Sequence, residues 1–332
     1  MPELSDSTPD PARHLRELVE TGRFREALDS HRQNQDPALR QRPESELLAA
    51  TAATRLGEFG TGVTLAESAL ARFGARADDD GRMRAMNLLG AIAFERGRLA
   101  EAAQAFETAL RLARQLGDTL MAAHASNNLA SVAHLQGEPE QALSLYRSAL
   151  LSYQRLGDRR GTAQTYHNLG LSFRQTGDWA DADSAALQAV RHAEQLGERS
   201  LMALTVIGRA EVQLEQGALD LAGGELSRAE KLAREAGDEI SLVDIGRLRA
   251  LRALAEGDAA LALETAEAAH LRAETLHSLQ LQGECAAVAA LASRRLGRTS
   301  AAASRHEEAL AIFARLGAEQ LARDFTRRWE EN

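Results

Sequence analysis

The chain has 332 residues, 44% apolar and only 4% aromatic, with a formal net charge of −9 and one cysteine, Cys285. The negative charge weighs against nucleic acid, which wants a basic field, and offers no polybasic patch to a membrane. No apolar run approaches the ~20 residues needed to span a bilayer, the N-terminal stretch MPELSDSTPDPARH lacks an apolar signal core, and a lone cysteine rules out a disulfide framework. The cytoplasm is the expected compartment. Alanine and leucine must supply the core, which implies closely approached helices.

In chain order, residues 1–10 are polar and contain proline, as a disordered tail would. Asp10-Pro11 reads as N-cap and first turn of a helix that Gly22 ends, and Phe24 opens its partner, giving a pair over about 11–35. Pro43 opens a second pair, about 44–73. The stretch Gly74 to Gly81, GARADDDG, reads as the longest connection and the best internal flexible site. Regular pairs follow at about 82–116, 122–156, 162–196, 202–236, 242–276 and 282–316. A last helix, about 318–331, carries Leu321, Phe325 and Trp329 at i, i+4 and i+8. That stripe can cover the end of the core while Arg323, Arg327 and Arg328 stay in water.

A strict period underlies these pairs. Gly57, Gly97, Gly137, Gly177, Gly217, Gly257 and Gly297 lie 40 residues apart. Gly117, Gly157, Gly197, Gly237 and Gly317 form a second series at the same period, with His277 in its missing slot. Between glycines the apolar residues follow helical spacing, as in Leu99, Ala102, Ala103, Phe106, Ala109, Leu110, Ala113 and Leu116. Each glycine suits a left-handed helix stop, where a Cβ would clash. Asp118, Asp158 and Asp238 follow such glycines and can cap the next helix. Stop and start side by side mean short loops and antiparallel neighbours. A lone pair cannot cover its own apolar face, so the pairs must stack into an all-α solenoid, one elongated domain over 11–332.

Within the period the order Leu89-Gly90, Gly97, Ala102, Phe106, Ala109 recurs as Leu129-Ala130, Gly137, Ala142, Tyr146, Ala149. It recurs again as Leu169-Gly170, Gly177, Ala182, Ala189. Small residues at 90, 130 and 170 let helices cross closely, and the aromatic fills the hollow beside them. This pattern resembles the tetratricopeptide signature. The 40-residue form, with NNLA or NLG in the first helix, resembles the subgroup of kinesin light chains, Leu-Gly-Asn-repeat adaptors, and bacterial Rap-type and MalT-like sensors. The resemblance implies a right-handed α-solenoid of about eight repeats closed by a C-terminal capping helix. Two departures stand out: Arg209 and Arg249 fill the slots of Leu129 and Leu169, implying irregular repeats or a buried charge, and the usual proline at the repeat end is missing.

In such proteins the first helix of each pair lines the inner wall. The resemblance therefore places Arg84, Asn87 and Ala91 there, then His124, Asn127, Asn128, Ser131 and His134, then Gln164, His167, Asn168, Leu171, Arg174 and Gln175. Asparagine offers both a donor and an acceptor, which suits a peptide main chain. By resemblance Asn127, Asn128 and Asn168 inherit that role, with Arg84, Asn87, His124, His134, Gln164, His167 and Arg174 beside them. The plainer alternative is that these asparagines bond neighbouring helices. Beyond residue 200 the wall reads as apolar, through Leu204, Ile207, Leu214, Leu248, Leu251 and Leu254, either to receive ligand anchors or for self-association.

No metal site is expected: His124 and His134 are ten residues apart, about 15 Å along a helix, and no carboxylate or cysteine completes a ligand set. Asp78-Asp79-Asp80 lacks the spacing and terminal glutamate of a calcium loop. Every glycine reads as a helix stop rather than a phosphate cradle, so neither catalysis nor a cofactor is expected. Cys285, on an alanine-rich face, reads as packing. Two functions remain: an adaptor binding a peptide segment of a partner protein in the concave groove, or a regulatory sensor of Rap-like or MalT-like type. Association through the terminal repeats is left open.

Overall fold

The computed structural model describes residues 11–36 and 40–331. The 1–10 tail lies outside them. The described residues form seventeen α-helices and no strand. They are α1 (Pro11–Glu20), α2 (Phe24–Gln33), α3 (Pro43–Arg55), α4 (Phe59–Ala75), α5 (Asp79–Glu95), α6 (Leu99–Leu116), α7 (Thr119–Gln136), α8 (Pro139–Leu156) and α9 (Arg159–Thr176). They continue as α10 (Trp179–Leu196), α11 (Arg199–Glu215), α12 (Leu219–Ala236), α13 (Glu239–Ala255), α14 (Ala259–Thr275), α15 (Leu279–Arg295), α16 (Thr299–Leu316) and α17 (Glu319–Glu331).

The turns carry out the chemistry expected of them. Both glycine series have positive φ, between 63° and 88°. Asp118, Asp158 and Asp238 each accept the backbone N–H three residues on, at 2.9–3.0 Å, from Met121, Gly161 and Ser241. One expectation fails. The stretch 74–81 is not a long loop: α4 runs to Ala75, α5 starts at Asp79, and Asp78 Oδ1 caps it by accepting from Gly81 N at 2.9 Å. Ala77 has φ 52° and takes the left-handed slot 40 residues before Gly117, as His277 (φ 55°) does later. A turn that alanine can enter hides from a search for glycines.

Contacts divide the chain into two compact units, residues 1–125 and 126–332. In the first, Leu15, Leu18, Ala27 and Leu28 pack on Ala49, Ala52 and Ala53. Gly90 lies against the Phe106 ring so closely that an added Cβ would stand 2.7 Å from it. In the second, Tyr146 and Tyr153 are fully buried, and Gly161 leaves room for the Tyr153 ring in the same way. Gly170 instead faces the backbone of Ala182 and Ala186, because its unit carries no aromatic at the Phe106 slot. The first helices of successive pairs touch one another, α9 with α11, α11 with α13 and α13 with α15, and so form one continuous face.

The last helix does more than cover an end. Phe325 is buried against Phe313, and Leu321 and Trp329 pack on the same cluster, with Arg294 stacked 4.5 Å over the Trp329 ring. Its arginines were expected in water: Arg323 and Arg327 are exposed, while Arg328 is half-buried. Arg328 pairs with Glu215 at the end of α11, and Arg323 Nη2 donates to the carbonyl of Gln136 at the end of α7 (3.3 Å). The row of first helices in the second unit therefore curves far enough for its last helix to reach its first.

Candidate functional site

The sequence-derived residues fall in both units. Arg84, Asn87 and His124 lie in the first. There Arg84 is half-exposed and bonded to Asp80 one turn back on its own helix, at 2.9 Å, so its guanidinium is tied to α5. Asn127, Asn128, His134, Gln164, His167, Asn168 and Arg174 lie in the second unit, half-buried along α7 and α9.

Those two helices are stitched together by the same residue types proposed for a ligand. Asn127 Oδ1 accepts from Thr165 Oγ1 at 3.2 Å and lies 3.5 Å from Asn168 Nδ2. Ser131 shares a 2.9 Å hydrogen bond with the buried Tyr146 hydroxyl, and His134 Nδ1 lies 3.2 Å from Ser172 Oγ. The His167 ring stands over Gly208 of α11, where a Cβ would come within 2.4 Å of Nδ1. Burial, aided by Arg174, pushes the His134 imidazole down to about 4. Burial does the same to His167, to about 4, against the pull of Glu211. Both are neutral hydrogen-bonding groups at neutral pH.

Further along the same face the expectation of an apolar wall fails. Ile207, Leu248 and Leu254 are turned into the core, and Leu204, Leu214 and Leu251 pack against core clusters. The face itself carries charge. Arg247, only 6% exposed, donates to Asp244 Oδ1 at 2.7 Å and Glu211 Oε1 at 3.3 Å and pairs with Glu284 at 3.1 Å. Arg174 pairs with Glu211 at 3.7 Å and Glu215 at 3.4 Å. Burial alone would raise the Glu211 carboxyl, but Arg174 and Arg247 overcome it and hold it at about 2. Asp244 and Glu284 are raised by burial, because the one charge of Arg247 is shared among three carboxylates. One linked network thus ties α9, α11, α13 and α15.

Extending the repeat register would have found it. Arg247 stands 80 and 120 residues after His167 and Asn127, Glu211 stands 80 after Ser131, and Asp244 and Glu284 continue the slot of His124 and Gln164. Apolar residues near those slots drew the reading towards a greasy surface. Arg209 and Arg249 are not stranded charges either: both reach α12, Arg209 to Glu225 at 2.8 Å on the second helix of its own pair and Arg249 to Glu230 at 2.6 Å on the second helix of the pair before. Cys285 is fully buried, and burial pushes its thiol up to about 12, so it packs and does not react.

Among the described residues, one titratable group outside this face has metal-like spacing. His270 Nε2 lies 3.5 Å from Glu274 and 3.3 Å from Glu308. Arg305 Nη1 is also 3.3 Å from Nε2 and 2.6 Å from Glu308, so a guanidinium already holds the place a cation would take.

Residues 47–117 and 120–195 each match the family described as tetratricopeptide repeat. Those two stretches carry tetratricopeptide repeats. A Rap protein complexed with competence and sporulation factor superimposes with a TM-score of 0.79 at 17% identity, over 96% of this chain and 89% of that one. NprR in complex with its cognate peptide NprX gives 0.67 at 12% identity, over 92% and 89%. Aspartyl phosphate phosphatase F from Bacillus subtilis gives 0.62 at 15%, over 100% and 91%. At such identities the likeness is one of fold, a solenoid of tetratricopeptide repeats resembling the Rap-type arrays. No curated protein matches the chain in sequence. Among the described residues no helix is long and apolar enough to cross a membrane.

Proposed function

We propose that the first-helix face of the second unit binds a peptide segment of a partner, and that the chain acts as a scaffold or adaptor in the cytoplasm rather than as a catalyst. The observation that carries this reading is the polarity of the face. Asn127, Asn128, His134, Gln164, His167, Asn168 and Arg174 gather amides, imidazoles and a guanidinium on one side of α7 and α9, where several of them also bond neighbouring first helices. Amides and neutral imidazoles offer donors and acceptors together, which matches a main chain that presents both at every residue. Two proteins of similar fold, a Rap protein complexed with competence and sporulation factor and NprR in complex with its cognate peptide, support the reading. Arg84, Asn87 and His124 of the first unit belong to the proposal by repeat register alone.

A second reading, a peptide-responsive regulatory subunit, is favoured by one contact. Helix α17 reaches Gln136 and Glu215, so a peptide seated on α7, α9 and α11 lies beside a helix from the far end of the array. A partner of nucleic acid remains disfavoured by the net charge of −9.

The test is selection from a randomised peptide pool on immobilised full-length protein, repeated with Asn128→Ala/Asn168→Ala and with Glu140→Ala on the outward side of α8. Each asparagine contributes about 1 kcal/mol, so the double variant should bind the selected peptides roughly tenfold or more weakly. Glu140→Ala should change nothing. Equal retention by the asparagine variant and loss with Glu140→Ala would move the site to the second helices.

A further inference from the structure

The second unit holds one set of contacts that its repeats do not call for. Helix α17 packs on α15 and α16 through Phe325, Leu321 and Trp329, yet its other side meets residues 113 and 187 positions away in sequence. Arg323 Nη2 donates to the carbonyl of Gln136, the last residue of α7, at 3.3 Å. Gln320 Oε1, one turn back, accepts from Arg323 Nε and Nη2 and holds the guanidinium in that direction. Arg328 pairs with Glu215, the last residue of α11, which Arg174 of α9 also reaches at 3.4 Å.

The turn that receives Arg323 leaves room for it. Gly137 has φ 75°, as the other turn glycines do, but a Cβ there would run into the Arg323 guanidinium and stand 2.9 Å from Gln320 Oε1. Gly177 (φ 80°) and Gly217 (φ 74°) of the same unit have nothing within 4 Å of an added Cβ. Backbone conformation alone accounts for those two, and at Gly137 the approach of α17 adds a second demand.

The chemistry of this closure is that of a reversible contact. Long polar side chains make it: Arg323 is 53% exposed, and Arg328 and Glu215 are each about a quarter exposed. Such pairs are individually weak and are screened by salt. The apolar anchor of α17 is on the α15–α16 side, with Phe325 buried and Arg294 stacked on Trp329. A solenoid can supply the movement, because each pair contacts only its neighbours and small rotations at each step add along the array.

We infer that α17 is a polar latch: the second unit exchanges between the closed form seen here and an open form in which α17 stays on α15 and α16 but parts from the ends of α7 and α11. Ionic strength, acting on Arg323, Arg328 and Glu215, sets the balance. The latch closes across the ends of the first helices, so it sets how wide the inner face stands. It needs no ligand and does not rest on the peptide reading.

The experiment measures distances by double electron–electron resonance in the full chain, with nitroxides on Gln141→Cys and Glu330→Cys, both exposed positions. Cys285 is fully buried and stays in place. A reference pair, Glu307→Cys with Glu330→Cys, reports α17 against α16. Raising salt from about 0.01 M to about 1 M shortens the screening length from about 30 Å to about 3 Å and should enlarge a longer-distance population between 141 and 330 roughly threefold or more. Arg323→Ala/Arg328→Ala should show that population at low salt already and lose the salt response. Gly137→Ala should do the same, whereas Gly217→Ala, with the same backbone strain and open space above it, should not. The reference distance should stay constant throughout. A 141–330 distance that ignores both salt and the arginine variant would overturn the latch. So would equal behaviour of Gly137→Ala and Gly217→Ala, or a change in the reference distance, which would mean that α17 leaves α16 instead.

Discussion

At the scale of single residues, the turns and the buried histidines carry the most testable physics. Ala77 sits at φ 52° where most of the turns place glycine and one places His277. A non-glycine residue in this region costs roughly 1–2 kcal/mol, and glycine returns part of that as lost chain entropy. Ala77→Gly should therefore stabilise by roughly 0.5–1 kcal/mol, read as a raised urea midpoint with an unchanged slope. The histidines give a pH signature. His134 and His167 have folded values of about 4, below the ordinary value of 6.5, so the unfolded chain binds more protons between those limits. Stability is full above about 6.5 and falls as pH drops towards 4, by about 3 kcal/mol for each histidine. His134→Gln/His167→Gln should flatten that limb of the pH–stability curve. The turn glycines, the capping aspartates and the asparagines of α7 and α9 were legible because a repeat writes each of them several times. Ala77 was not, since its backbone angle is imposed by the flanking helices and its side chain carries no sign of it.

At the scale of helices, the network on the inner face and the last helix act in different ways. Arg247 binds carboxylates from α11, α13 and α15 together. Removing one partner from a buried ion cluster leaves the others uncompensated, at about 3–5 kcal/mol. Arg247→Met should cost about that at pH 7. It should cost less near pH 4, where Asp244 and Glu284, already raised, can neutralise by protonation; chemical denaturation at both pH values checks this. Helix α17 contributes apolar cover. Deleting residues 319–332 removes Phe325 with Leu321 and Trp329, each worth roughly 1.5–3 kcal/mol when buried. The α15–α16 end should then lose stability and self-associate, visible by light scattering, and a monodisperse, equally stable truncation would contradict the capping role. The apolar stripe of α17 could be read from its i, i+4, i+8 spacing. Its reach to Gln136 and Glu215 could not, because the helix stands outside the period and the contact depends on how the pairs accumulate their rotation. The charged network was missed for the opposite reason: it does follow the period, but Ile207 and Leu248 beside it suggested a surface where the fold makes a core.

At the scale of the whole molecule, we propose the first helices of the second unit as the working surface and their partners as the support. The 40-residue period settles which helix is which before any coordinate is known, and the tetratricopeptide match and the superposition with Rap-type folds agree with that assignment. What the period does not carry is the partner, since ligand chemistry resides in the residues that differ from one repeat to the next. The most direct measurement of the central claim is hydrogen–deuterium exchange of the full chain, with and without a peptide selected from the random pool. Protection on binding should concentrate in α7, α9 and α11, with little change in α8, α10 and α12. Protection confined to α8, α10 and α12, or to residues 11–118, would contradict the assignment of the peptide to the first-helix face.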